Sequence, residues 1–546
     1  MTDSPKPSRS LLNIAKIVAI ATLISKVFGL VRQQAIGAAF GSGPAYGAYN
    51  FAYVIPGFLL ILLGGINGPF HSAIVSVLSK RKREEAGPIL ETITTLVVGV
   101  LALVTIGLII FAEPLTRLVA PGLFVPNADA MTILTRQSAI QQFQIMAPMA
   151  VLAGLIGIGF GALNAADDFW LPSISPLFSS TVMIVGLGGL AIVLQDKIYL
   201  PENAMLGGAV LAWTTLLGAI LQWLVQLPAQ RKAGLGGLRL RFDFQRPEVK
   251  EVMQVMLPAT FASGMMQINV WTDLIFASFI PNPAAAVSAM GYASLLVLTP
   301  LGILSNAILV PLLPAFSRAA DPERWGDLKE LIRKGLLMTA ALMLPVGGLM
   351  MALALPMSRV VYERYGFTAD DSYLTASVLI AYASGMFFYL GRDVLVRVFY
   401  ALGDAETPFR ISVLNIFFNV LLDFIFVKPF GAPGLILATV GVNIISMVML
   451  LAILHRRLNG LPLWAWSQPI LKLLVGSAIS AGCTWGSLLG LRQVLGDGGF
   501  WMHLLHLCVG GGVGILVFGA IVSQLRLPEV DELVDRLRQR FLKKSS

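Results

Sequence analysis

Residues 21–41 read ATLISKVFGLVRQQAIGAAFG, an apolar run with Lys26 and Arg32 set inside it. The medium around this run decides the fold. The 546-residue chain is 56% hydrophobic and 13% charged, with a mean hydropathy of +0.78, outside the range of soluble globular proteins. A bilayer core about 30 Å thick takes about 20 apolar residues per helix. About 14 such segments occur, starting near residues 12, 48, 88, 133, 172, 203, 249, 287, 334, 372, 409, 432, 468 and 500. The expected fold is an all-α polytopic membrane protein.

The N-terminal MTDSPKPSRS is too short and too polar for a signal peptide, so the first apolar segment is expected to be retained. Cys483 and Cys508 fall in the last two apolar segments without close Cys or His neighbours, and read as small core residues. The net charge of +9 is distributed by topology and does not point to nucleic acid. Basic clusters at Lys80–Arg83, Arg231–Lys250, Arg318–Lys334, Arg456–Arg457 and Arg526–Lys544 fall in alternate loops. Assigning these loops to the cytoplasm puts about 26 Lys and Arg inside against about six outside, with both termini inside and an even number of spans. The tail LPEVDELVDRLRQRFLKK sets Val530, Leu533, Val534, Leu537 and Phe541 on one helical face. It reads as a basic amphipathic helix on the inner leaflet or as a solvated charged tail.

An internal repeat organises the chain. Phe40 and Phe279 close the matching strings GAAF and FASF at an offset of 239 residues, and Ala162-Leu163 and Ala401-Leu402 open ALNAADDF and ALGDAETP at the same offset. The expected domains are an N-terminal six-helix lobe at 1–235, a C-terminal six-helix lobe at 236–458, two further transmembrane helices at 459–525, and the basic tail at 526–546. An even helix number per half gives a parallel repeat, with substrate expected at the seam.

Catalytic constellations are missing from the sequence. It holds no GxxxxGK[ST], and GLGGLRLR at 234–241 lacks the lysine and hydroxyl of a phosphate loop, so it reads as an ordinary basic loop. His71, His455, His503 and His506 join no zinc pattern, and neither GxSxG nor HExxH occurs. The reading is a transporter that is not an enzyme, works without nucleotide hydrolysis and needs no cofactor unless a coupling ion.

SKVFGLVRQQAIGAAFG, QINVWTDLIFASF, GALNAADDFWLPSISP, YERYGFTADD and FYALGDAETP, in this order, resemble the signature segments of the MurJ (MviN) lipid II flippase family of the MOP transporter superfamily. The likeness runs from about residue 11 to 457, and the two trailing helices also fit that family's fourteen-helix plan. It implies a two-lobe, alternating-access transporter in the bacterial cytoplasmic membrane, moving lipid II to the outer leaflet for peptidoglycan and cell-wall biogenesis. Its partners would be lipid II, the undecaprenyl-pyrophosphate-linked disaccharide pentapeptide, together with membrane lipids; cell-wall synthesis proteins are further candidates. The resemblance also implies a groove lined by the last two helices for the lipid tail.

An intramembrane cation costs about 2.5–3.5 kcal/mol on insertion scales and faces a cavity or an anionic partner. The resemblance assigns Lys26 and Arg32 to the substrate pyrophosphate. Six residues place them about 9 Å apart along the helix and about 120° apart around it, so they do not share one direction. Arg32 alternatively snorkels to the headgroups. The sequence departs from the family pattern in having Gly47 where an acid is usual, the apolar LLIL at 59–62 where an arginine is usual, and Leu295 in place of a cavity arginine. Asp393 and Arg397, four apart, are expected to pair, which leaves Arg392 as a third substrate-binding cation.

Asp273, Asn419, Asp423 and Thr439 supply hard oxygens from three helices and form the candidate metal site. Family members hold sodium at matching positions together with a carbonyl at the position of Leu435, so sodium is the candidate ion; Asp423 is otherwise a solvated acid near a helix end. Three classes of function remain at this point: a lipid II flippase, another MOP-type exporter such as a lipid-linked oligosaccharide flippase or drug antiporter, and a membrane scaffold. The scaffold leaves the buried charges unexplained, and twelve-helix antiporters lack the trailing pair.

Overall fold

The computed structural model describes residues 11–65, 68–81, 83–265, 268–496 and 498–525. The basic tail at 526–546 lies outside the described residues. Among those described, all regular structure is helical. The chain runs through α1 (Leu11–Phe40), α2 (Pro44–Gly64), α3 (Pro69–Leu78), α4 (Arg83–Ile110), α5 (Ala112–Val119), α6 (Ala130–Met146), α7 (Met149–Ala165), α8 (Trp170–Ile174), α9 (Pro176–Leu194), α10 (Ala204–Leu224), α11 (Gln226–Lys232), α12 (Pro247–Met265) and α13 (Ile268–Ala277). It continues through α14 (Pro283–Arg318), α15 (Trp325–Ala352), α16 (Ala354–Tyr362), α17 (Ala369–Ser384), α18 (Met386–Ala401), α19 (Glu406–Phe430), α20 (Ala432–Arg457), α21 (Leu463–Leu495) and α22 (Phe500–Leu525).

Among the described residues, eleven stretches are long and apolar enough to cross a membrane, and twelve when α6 and α7, bent by 42° at Pro148, count as one broken span. With the 30-residue α1 and the α12–α13 pair, the helices fall on the fourteen apolar segments read from the sequence. Prolines at the first turns of α2, α3, α9 and α20 start helices where their missing N–H is no loss. Leu103, Ile192, Val193 and Leu516 are each more than 70% exposed, a surface that hydrocarbon accommodates and water does not. The protein is a multi-pass membrane protein.

The chain forms two compact units, Met1–Ser288 and Ala289–Ser546. In the first, Phe70, Ile74, Ile89, Ile93 and Ile158 pack with Val249, Val252 and Met256 of α12. The opening helices of the second sequence half therefore join the first unit's core, and compact units and sequence repeat are offset. In the second unit, α15 packs on α21, α19 on α20 and α21 on α22, and Tyr292, Tyr362 and Phe367 form a buried aromatic knot.

The repeat is visible in the helix ends. Asp129 caps α6 by accepting from the Thr132 N–H at 3.3 Å, and 239 residues later Thr368 caps α17 by accepting from the Asp371 N–H at 3.3 Å. Pro44 and Pro283, the same distance apart, open α2 and α14. After α7, Asp167 takes φ 64° and the Asp168 N–H reaches Leu163 O at 2.9 Å; after α18, Gly403 takes φ 73° and the Asp404 N–H reaches Phe399 O at 2.9 Å. Each aspartate then accepts the N–H three residues on. These equivalent turns are 236 residues apart. The Ala-Leu pairs at 162 and 401 are thus not structural counterparts, because the second copy has lost three residues between cap and turn.

Candidate functional site

The first polar region inside the spans lies on α1 and α2. Arg32 is half-buried, and its Nε has no hydrogen-bond partner among the described residues. Its guanidinium acts electrostatically on the hydroxyls of Tyr46, Tyr49 and Tyr53. These tyrosines recur every three or four residues along one face of α2, and their rings stack, at 6.1 Å from Tyr46 to Tyr49 and 5.3 Å from Tyr49 to Tyr53. Gln33 donates to the Tyr46 hydroxyl, the Tyr49 hydroxyl bonds Thr215 of α10 at 3.1 Å, and Gln142 of α6 donates to Ala45 O at 3.1 Å. Three neighbouring helices thereby fix the ladder before any ligand arrives.

Lys26 is exposed beside the exposed Leu23 and Val27. Ser25 donates to Ser173 O at 3.2 Å and ties α1 to α8. Between the directions of Lys26 and Arg32 lies Gly29, and a Cβ placed there meets nothing within 4 Å. The helix face between the two cations is open. Guanidinium, ammonium and phenol donors around such a face suit an anion carrying further hydroxyl groups.

Gly47 explains one departure from the family pattern. A Cβ at this position would lie 2.3 Å from Ala284 Cβ, so α2 and the start of α14 touch where a larger side chain has no room. The tyrosine stripe went unnoticed in the sequence reading, which followed charges; its signal was the spacing of YGAYNFAY.

The second polar region is a seam between α19 and α20. Asn415, Asn419 and Asp423 line one face of α19 at intervals of four, all buried, with Asp423 fully enclosed. Asp423 is therefore not a solvated acid at a helix end. On α20, the Thr439 hydroxyl donates to Leu435 O at 3.3 Å and Asn443 donates to Thr439 O at 2.8 Å. Asp273 sits half-buried on α13 in the first unit, whereas Asn419, Asp423 and Thr439 belong to the second.

Arg392 is not a spare cation. Its Nε donates to Ser446 Oγ at 3.2 Å and its Nη1 lies 3.8 Å from Asp393 Oδ1, so Asp393 pairs with its neighbour in place of the expected Arg397. Outside the spans, Asp404 joins the α18–α19 turn to the end of α20 through Arg457 Nη1 at 2.5 Å. Burial opposes its charge, but hydrogen bonds from Thr407 and Arg457 outweigh burial and hold the carboxyl below its ordinary value.

The family model for the lipid II flippase MurJ matches residues 36–502. A probable lipid II flippase MurJ of Synechocystis sp. is 54% identical over 541 residues, 99% of each chain. A solved lipid II flippase MurJ in an inward closed conformation gives a TM-score of 0.73 at 23% identity, covering 93% of this chain and 98% of that one. An inward-facing multidrug MATE transporter of the MOP superfamily gives 0.62 at 15% identity, covering 82% of this chain and 98% of the other. The two structures speak to the fold alone. The chain belongs to the lipid II flippase MurJ family.

Proposed function

We infer that the protein is a flippase that moves lipid II from the inner to the outer leaflet of the bacterial cytoplasmic membrane by alternating access, with both termini in the cytoplasm. The observation that carries this is 54% identity to a probable lipid II flippase along the whole length. Arg32 grips the pyrophosphate through its uncommitted Nε, and Lys26 meets the same group across the open face at Gly29. Tyr49 and Tyr53 offer donors in place of the family's acid and arginines. Arg392, already engaged by Ser446 and Asp393, contributes through its remaining N–H groups. Asn419, Asp423 and Thr439 of the second unit hold a sodium ion whose differential affinity for the two cavity orientations supplies direction.

Rescue of a flippase-depleted bacterium tests the function. Expression at normal membrane level with growth restored and lipid II reaching the outer leaflet is the expected result. Normal level without rescue, or rescue without outward lipid II, sinks it.

A further inference from the structure

The linker after α11 does more than join two helices. Gly234 and Gly236, at φ 73° and 81°, turn the chain back onto α4, where Gly236 and Gly87 touch so closely that a Cβ on Gly236 would lie 3.0 Å from Gly87 O. The chain then runs along α4 without regular secondary structure. The Gly237 N–H reaches Glu91 Oε1 at 2.9 Å, Arg241 Nε reaches Glu91 Oε2 at 2.7 Å, and the Arg241 N–H reaches Thr95 Oγ1 at 3.1 Å. Gly87, Glu91 and Thr95 are successive positions on one face of α4, so the linker climbs about 12 Å along it.

That climb follows the first turns of α4, whose residues Glu85–Ile110 are long and apolar enough to cross a membrane. Arg241 turns toward α4, whereas the even-numbered residues around it are exposed. Leu238, Leu240 and Phe242 are 56%, 76% and 71% exposed, and Phe244 packs edge-on against Phe242 at 6.0 Å. Bare apolar side chains thus stand at the depth of the first turns of a span. Arg231, Lys232 and Arg239, all exposed, lie beside them.

We propose that residues 237–244 form a strap that docks on an anionic lipid leaflet, its apolar side chains in the acyl boundary and the neighbouring cations on lipid phosphates. Glu91 holds the strap against α4 and neutralises Arg241, the one strap cation that faces protein. The depth set by α4 favours lipid over a soluble partner, and the three exposed cations favour an acidic leaflet over a neutral one.

The test uses the full chain with Cys483→Ala and Cys508→Ala, which removes the two exposed free thiols, and a bimane fluorophore attached through Leu240→Cys or, in a second protein, Phe242→Cys. Each is reconstituted in phosphatidylcholine vesicles with and without phosphatidylglycerol, beside a control labelled through Asp327→Cys, an exposed position in the first turn of α15. Headgroup spin-labelled lipid should quench both strap labels at least about twofold more than the control, and more strongly with phosphatidylglycerol present. Replacing Arg231, Lys232 and Arg239 by Gln should remove that dependence on acidic lipid. Iodide quenching equal to the control would mean a solvated loop, and protection from both quenchers would mean a protein contact. Either result, or equal quenching in the two lipid mixtures, overturns the proposal.

Discussion

Around Arg32 the first unit gathers donors: a guanidinium whose buried Nε lacks a hydrogen-bond partner among the described residues, an exposed ammonium six residues earlier, and a stacked row of phenols. Around Asp423 the second unit gathers oxygens from a carboxylate, two amides and a hydroxyl. The first collection suits a large anion and the second a small bare cation. Neither stabilises a helix bundle as well as leucine would, because polar groups taken out of water recover only part of their hydration. If the proposed grip on substrate and the proposed ion site both hold, the division predicts that disturbing the cluster around Arg32 and disturbing the cluster around Asp423 have separate effects.

The sharpest break is Arg32→Ala. Loss of a charge-assisted contact of about 1.5–3 kcal/mol should reduce lipid II flipping by about tenfold to a hundredfold and abolish rescue at unchanged membrane level; normal rescue would remove Arg32 from the grip. Lys26→Ala, at an exposed position, should weaken flipping without abolishing it. On the other side of the comparison, Asp423→Ala should erase a sodium-dependent rise in thermal stability of a few degrees, with potassium at equal ionic strength as control, while Asp393→Ala preserves it. Equal protection by both ions would return the α19 stripe to a structural role.

Smaller effects test the scaffold that separates the regions. Gly47→Asp, which restores the family's acid, should lower the yield of folded protein by overpacking against Ala284, at a cost of about 1–3 kcal/mol; improved flipping would show that the contact yields. Gly403→Val should cost about 1–2 kcal/mol, since Gly403 holds φ 73° in open space and a β-branched residue resists that conformation. Its signature is less folded protein with substrate affinity unchanged. Asp404→Asn should cost about 0.2–1 kcal/mol through the Arg457 contact. Because folding lowers the Asp404 pKa, that contribution is complete above the ordinary aspartate value of about 4 and disappears as pH falls through the lowered value. Thermal denaturation of mutant and parent should therefore converge in acid.

Much of this architecture was legible in the sequence because lipid imposes a simple requirement: the apolar runs fall on helices, eleven or twelve of them, among the described residues, long and apolar enough to cross a membrane. The caps at Asp129 and Thr368 kept their repeat spacing for the same local reason. What escaped depended on tertiary packing. The contact of Gly47 with Ala284 joins residues far apart in the chain, and the packing of α12 with α3 and α4 is likewise a contact between distant segments. Arg392 escaped because helix spacing nominated Arg397 for Asp393, while Ser446 on α20 draws the Arg392 guanidinium instead. Tyr49 and Tyr53 were passed over because uncharged phenols look like ordinary span residues until Arg32 stands beside them.

The three residues lost from the second copy have a geometric effect. Removing them from a helical path withdraws the chain by about 4.5 Å and turns it by about 60°, so what leaves α18 is out of phase with what leaves α7. The halves are consequently no longer interchangeable parts. A chain assembled from two copies of either half would carry its turn aspartates, and every side chain beyond them, on the wrong faces for one of its positions. The difference in phase is what commits each half to a single post.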